Sequence, residues 1–152
     1  MNVPVPMTAP RLSNETLHAT TVALDGRAVL IGGPSGAGKS DLALRLLDRG
    51  FALVSDDRTL VRKDGDRLIA SAPANIAGKI EVRGIGIVDV ENVDDVPVAL
   101  VVELTSEMQR LPDEGRERLF LGISVPLVAI DALTASAPSK VALALDHMGL
   151  KF

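Results

Sequence analysis

The run Gly33-Pro34-Ser35-Gly36-Ala37-Gly38-Lys39-Ser40 follows the apolar stretch Ala28-Val29-Leu30-Ile31 and leads into Asp41-Leu42-Ala43-Leu44-Arg45-Leu46-Leu47. Apolar run, glycine-rich turn and amphipathic repeat read as strand, loop and helix, with the G-x-x-x-x-G-K-S spacing of a phosphate-binding loop. Glycines let backbone N–H groups turn inward around phosphate oxygens, where a Cβ would block approach. The helix N-terminus adds the positive end of its dipole. In this pattern Lys39 reaches the β- and γ-phosphates, and the Ser40 hydroxyl completes a Mg²⁺ coordination shell. Pattern and flanking elements agree, so the expected ligand is a nucleoside triphosphate.

Composition narrows the setting. A chain of 152 residues, 47% hydrophobic and 24% charged, fits one ordinary globular domain. It shows neither an apolar run of membrane-spanning length nor a signal-peptide pattern, and the expected compartment is the cytoplasm. With no cysteine, thiol chemistry and cysteine-based metal sites are excluded. A net charge of −4 argues against nucleic acid as partner. Three Phe and no Trp or Tyr leave little with which to stack a base, so nucleotide affinity is expected to come from the phosphates.

The first 15 residues hold Pro4, Pro6 and Pro10 with little apolar periodicity and read as a flexible arm, leaving residues 16–152 as one domain. Asp25-Gly26 predicts a hairpin between residues 21–24 and 27–31. Leu42, Ala43, Leu46 and Leu47 form an apolar helical stripe, and Gly50 suits the helix end. Phe51-Ala52-Leu53-Val54 is expected as a strand parallel to the loop strand. A second hairpin, with an Asp64-Gly65 turn, joins residues 59–62 to 67–70. The alternating glycines of residues 80–90 mark a bend or a close approach. Residues 98–104 make the longest apolar β-run and should be central, residues 105–122 are polar and partly irregular, and residues 125–130 form a short strand. Ser136, Pro138 and Gly149 frame a last helix.

Asp56 and Asp57 close the strand after the phosphate loop, where open α/β sheets bind ligands. One could hold Mg²⁺ through water while the other accepts a proton from an attacking hydroxyl; taken alone the pair would read as turn or capping aspartates, and the phosphate loop beside it favours the functional reading.

Together, a His before a hairpin, the phosphate loop, Leu53-Val54-Ser55-Asp56-Asp57-Arg58 and Glu81-Val82-Arg83-Gly84-Ile85-Gly86-Ile87 resemble the catalytic domain of the bacterial HPr kinase/phosphorylase family. The family's patterns are G-D-S-G-x-G-K-S, L-V-A-D-D-R and E-I-R-G-L-G-I; this chain differs at Pro34 of the first. The likeness covers residues 17–130. It implies an α/β fold with a mixed sheet, antiparallel hairpins and a core like that of phosphoenolpyruvate carboxykinase. It also implies a short form carrying the catalytic core alone. By this resemblance ATP and Mg²⁺ are used, and a serine of the phosphocarrier protein HPr is phosphorylated to regulate sugar metabolism. Asp57 would be the base, Asp56 and Glu81 would stand with Ser40 at the metal, and His18 would support the same centre. Arg110 would stabilise phosphoryl charge. Arg83 could instead bridge carboxylates and hold the Gly84–Gly86 turn. Homo-oligomer formation stays open.

One segment departs from the pattern. Where the family has P-V-R-P-G-R, this chain has Asp131-Ala132-Leu133-Thr134-Ala135-Ser136, without either arginine. The family ties that segment to the reverse, phosphorolytic reaction, in which two anions must meet. The expected direction is therefore the kinase one. Two other readings remain: a small-molecule kinase on the same scaffold, and a nucleotide-sensing module without transfer.

Overall fold

Asp25 and Gly26, at φ +51° and +76°, make the tight turn expected between two twisted strands. That turn folds β2 (Thr20–Leu24) back on β3 (Arg27–Gly32), with Thr20 opposite Ile31 and Leu24 opposite Arg27. The computed structural model describes residues 13–107 and 115–152. Its remaining elements, in chain order, are β1 (Asn14–Leu17), α1 (Lys39–Leu47), β4 (Ala52–Ser55), β5 (Thr59–Asp64), β6 (Arg67–Ser71), β7 (Lys79–Val82), β8 (Gly86–Asp89), β9 (Val96–Leu104), β10 (Glu117–Phe120), β11 (Ile123–Ile130) and α2 (Ala137–Met148).

Among the described residues, nine strands form one mixed sheet: seven follow the order β1-β5-β6-β9-β3-β2-β4, β11 branches from β9 and carries β10, and β7 and β8 form a separate hairpin. β9 is the hub. It runs parallel to β3 along one edge; on the other, Val96 and Pro97 pair antiparallel with β6, and Val101–Leu104 pair parallel with β11. The alternation of side chains along β3 sends Val29 and Ile31 to one face and Ala28 and Leu30 to the other. Val29 and Ile31 meet Leu42 and Leu46 of α1 and Val141 and Leu145 of α2. Ala28 and Leu30 meet Val61, Leu68 and Val125. A register shift against Ala28 and Val29 puts both Ala99 and Leu100 on the helical side, the local consequence of a bulge. Buried on both faces, β9 is almost wholly apolar, as its sequence foretold.

Several expectations are refined. The sheet begins at Asn14, which pairs with Arg62, so the end of the anticipated arm is strand; residues 1–12 lie outside the described residues. β4 does point the same way as β3 but does not pair with it, because β2 lies between them and is antiparallel to both. The connection of the second hairpin is Gly65-Asp66 instead of Asp64-Gly65, since Asp64 still pairs with Arg67. Within the stretch read as partly irregular, residues 117–120 form β10 against β11. Ser136 stands at the N-cap of α2, but its hydroxyl makes no capping bond; its carbonyl accepts from the Lys140 N–H.

This topology gathers one end of the sheet. Because β2 is antiparallel to both neighbours, its first residues lie beside the last residues of β3 and β4. Residues 18–20, the phosphate loop and the Asp56-Asp57 pair therefore share that end. The segment after β8 runs beside β4, where Leu53 N–H donates to Glu91 and Leu53 accepts from Val93 N–H. That alignment swings the β7–β8 hairpin in beside Asp56.

Candidate active site

The phosphate loop leaves β3 at Gly33 and enters α1 at Lys39. Two of its glycines have visible causes. A Cβ at Gly33 would stand 3.2 Å from the Leu104 Cβ and 3.3 Å from that of Ala37, so any side chain there would crowd the approach of the loop to β9. Gly38 caps α1 at φ +97°, a conformation that costs ordinary residues about 1–2 kcal/mol. Among the described residues no side chain caps α1, which leaves its first N–H groups as the kind of terminus that suits an anion. Ala37 N–H donates to the Pro34 carbonyl at 3.0 Å, which tightens the turn.

Lys39 is buried, and its Nζ donates to the Gly33 carbonyl at 2.8 Å and to the Pro34 carbonyl at 3.2 Å. An ammonium has three N–H donors, so one remains for an oxygen ligand beyond the loop. Ser40, on the next position of α1, donates its Oγ–H to Asp56 Oδ1 at 2.6 Å.

The two aspartates have opposite surroundings. Asp56 is 8% exposed and receives three hydrogen bonds. Thr20 Oγ1 and Ser40 Oγ donate to its Oδ1 at 3.1 and 2.6 Å, and the Glu81 N–H donates to its Oδ2 at 3.0 Å. Asp57 stands in the left-handed region at φ +66°, with its side chain 57% exposed. There Asp57 Oδ1 lies 3.1 Å from His18 Nε2. The Asp57 N–H donates to Thr20 Oγ1 at 3.1 Å. One carboxylate is thus held inside by neutral donors, and the other faces solvent beside an imidazole.

Most of the anticipated residues converge at this end of the sheet. Gly33 through Ser40, Asp56, Asp57 and His18 do so through contacts on their own side chains or backbone. Glu81 joins through its N–H, while its side chain lies exposed on the β7–β8 hairpin. Among the described residues, no three His, Asp or Glu side chains cluster as a metal cage. Mg²⁺ is usually held by one or two protein groups with phosphates and water, and Ser40 with Asp56 presents such a pair. Arg83 is exposed and forms no ion pair among the described residues. Arg110 lies outside the described residues.

Two contributors escape a reading of motifs. Thr20 bonds both aspartates, and its only sequence signal is a pair of threonines, Thr20 and Thr21, opening a strand that is otherwise apolar. Arg45 of α1 donates to the carbonyls of Ala132 at 2.5 Å and Thr134 at 3.3 Å. It ties the loop without arginines to the helix that begins at the phosphate site. Ala132 there packs close to Gly38, where an added Cβ would lie 3.5 Å from its own.

Strand, glycine loop, helix and a buried aspartate facing the helix's first serine define a phosphate-loop nucleotide-binding protein of α/β class. The family model for the HPr Serine kinase C-terminal domain matches residues 11–144. The chain belongs to that family. It is similar to the HPr kinase/phosphorylase of Lactiplantibacillus plantarum, with 36% identity over 133 residues, 79% of this chain and 42% of that protein. The corresponding protein of Caldicellulosiruptor bescii is 40% identical over 135 residues, again covering 80% of this chain and 42% of the relative. The chain thus spans about two-fifths of the length of these curated relatives. A solved structure, the HPr(Ser) kinase/phosphatase of Coxiella burnetii, superposes with a TM-score of 0.76 at 32% identity. That likeness covers 88% of this chain and 95% of the other. Among the described residues no helix is long and apolar enough to cross a membrane.

Proposed function

We propose that this chain transfers the γ-phosphoryl group of ATP to a serine hydroxyl of an HPr-type phosphocarrier protein, with Mg²⁺ as cofactor. The observation that carries this reading is the division of labour between the two aspartates: Asp56 is buried against Ser40, and Asp57 is exposed beside His18. A site that only bound nucleotide would have no use for a free carboxylate held in a strained conformation at its mouth.

In this reading, the loop N–H groups, the α1 N-terminus and the remaining N–H of Lys39 hold the triphosphate. Ser40 Oγ and Asp56 would hold Mg²⁺, which when bound neutralises charge on the phosphate oxygens. Asp57 accepts the proton of the serine hydroxyl as its oxygen forms the new P–O bond and the bond to the leaving ADP breaks. A serine hydroxyl is too weak an acid to ionise unaided, so a carboxylate within reach is needed. His18 orients that carboxylate through the 3.1 Å contact. Glu81 belongs to the same reading as a further metal partner, and Arg110 as a cation on the transferring group. The Asp131–Ser136 stretch offers no cation to offset a second anion, which favours the kinase direction over phosphorolysis. ATP and Mg²⁺ at cytoplasmic levels suit this reaction.

The decisive experiment incubates the chain with HPr, Mg²⁺ and γ-labelled ATP and looks for label on serine. Phosphoserine on HPr is the expected product. Bound ATP with no transfer to HPr would overturn the reading and favour a nucleotide-sensing module.

A further inference from the structure

We infer that Thr20 is a positioning residue for phosphoryl transfer, its hydroxyl fixing Asp56 and Asp57 relative to each other; the inference rests on the kinase reading above. A threonine hydroxyl has one hydrogen to give and lone pairs to accept with. Here both capacities are spent on the two carboxylate-bearing residues: O–H to Asp56 Oδ1 at 3.1 Å, and acceptance of the Asp57 N–H at 3.1 Å. Thr20 is fully buried at the start of β2, so water does not substitute for either bond. The Asp57 backbone sits at φ +66°, which an L-residue keeps only where its surroundings hold it. Acceptance of the Asp57 N–H by Thr20 is such a hold. The same oxygen thus couples the carboxylate at Ser40 to the backbone that aims the carboxylate at His18.

Thr21 supplies the control. It is equally buried on the same strand, but its Oγ1 pairs with Thr59 Oγ1 at 2.8 Å and touches neither aspartate. Thr20→Val removes the hydroxyl at nearly constant volume, Thr20→Ser keeps it, and Thr21→Val removes a buried hydroxyl from elsewhere.

The test compares kcat for HPr phosphorylation, equilibrium ATP affinity and amide hydrogen exchange at Asp57 in the full chain. T20V is expected to lower kcat about 10- to 100-fold, the scale set by roughly ångström misplacement of a reacting group, while ATP affinity moves less than about threefold. T20S should return kcat to near the parent value, and T21V should leave it there. Exchange of the Asp57 amide should quicken about tenfold or more in T20V and stay unchanged in T21V, since only T20V removes its acceptor. Parent kcat in T20V, an equal loss in T21V, or no recovery in T20S overturns the inference. If T20V does not fold, Thr20→Ala carries the same expectation without the added methyl. A parent chain that transfers nothing to HPr overturns the kinase reading, and the transfer role with it. Asp57 exchange then still reports separately whether Thr20 holds the two aspartates.

Discussion

The Ser40 hydroxyl donates to Asp56 Oδ1 across 2.6 Å, joining the first turn of α1 to the end of β4. This bond spans 16 positions of sequence and aligns the phosphate loop with the acidic pair. Asp56 has its remaining oxygen on the Glu81 N–H, so three separate segments meet at one carboxylate once Thr20 is included.

That convergence makes Asp56 a stability residue as well as the metal partner proposed above. Asp56→Ala leaves two hydroxyls and one N–H without their acceptor in a buried place. An unmade buried hydrogen bond costs about 1–3 kcal/mol, so the variant should lose at least about 2 kcal/mol in urea unfolding. An unchanged urea midpoint would contradict the buried arrangement. Asp56→Asn should unfold closer to the parent and raise the Mg²⁺ concentration needed for half-maximal transfer.

Asp57 should behave differently. Its side chain is mostly exposed and among the described residues its side-chain partner is His18, so Asp57→Asn is expected to leave the unfolding midpoint nearly unchanged. Transfer to HPr should fall about 10²- to 10⁴-fold with the loss of a general base. ATP affinity, measured by calorimetry, should move little. Normal transfer in D57N would remove Asp57 as the base.

Lys39→Ala tests the loop. The lysine holds the Gly33 and Pro34 carbonyls and, in the proposed reading, supplies charge to a triphosphate. Its loss should weaken ATP about tenfold or more, as expected when a charged partner worth about 1.5–3 kcal/mol is removed. Affinity for adenosine, which has no phosphate, should stay as weak as in the parent. Parent-like ATP affinity in K39A would contradict the assignment of the loop.

Gly38→Ala probes the backbone. At φ +97° an alanine costs about 1–2 kcal/mol, and its methyl also meets Ala132. The variant should unfold earlier by that amount or move the loop and lose ATP affinity. Gly26→Ala, also at positive φ but with open space around it, should show a stability loss of similar size with parent ATP affinity. Equal ATP loss in both variants would show that Gly38 has no special place.

Much of this was legible in local sequence. The phosphate loop and its flanking elements announce themselves because glycine spacing and hydrophobic period are short-range signals. The Asp25-Gly26 hairpin and the buried β9 follow from the same kinds of signal. The second hairpin is visible too, but its turn falls one residue later than Asp64-Gly65 suggests, because both Asp64-Gly65 and Gly65-Asp66 are good turn pairs. Register is set by the partner strand, and pairing Asp64 with Arg67 decided it.

The site divides in the same way. Local sequence settles which residue types stand around the phosphate loop, and that two adjacent aspartates close a strand. It could not separate them, since neighbours in a chain share their local signals. Long-range packing separates them. β2 enters between β3 and β4, bringing Thr20 and His18 to the aspartates, and the β7–β8 hairpin delivers the Glu81 N–H. Burial and donors then hold Asp56 within, while a positive φ turns Asp57 outward to His18. Strand order depends on contacts distant in sequence, and the roles of the two carboxylates depend on strand order.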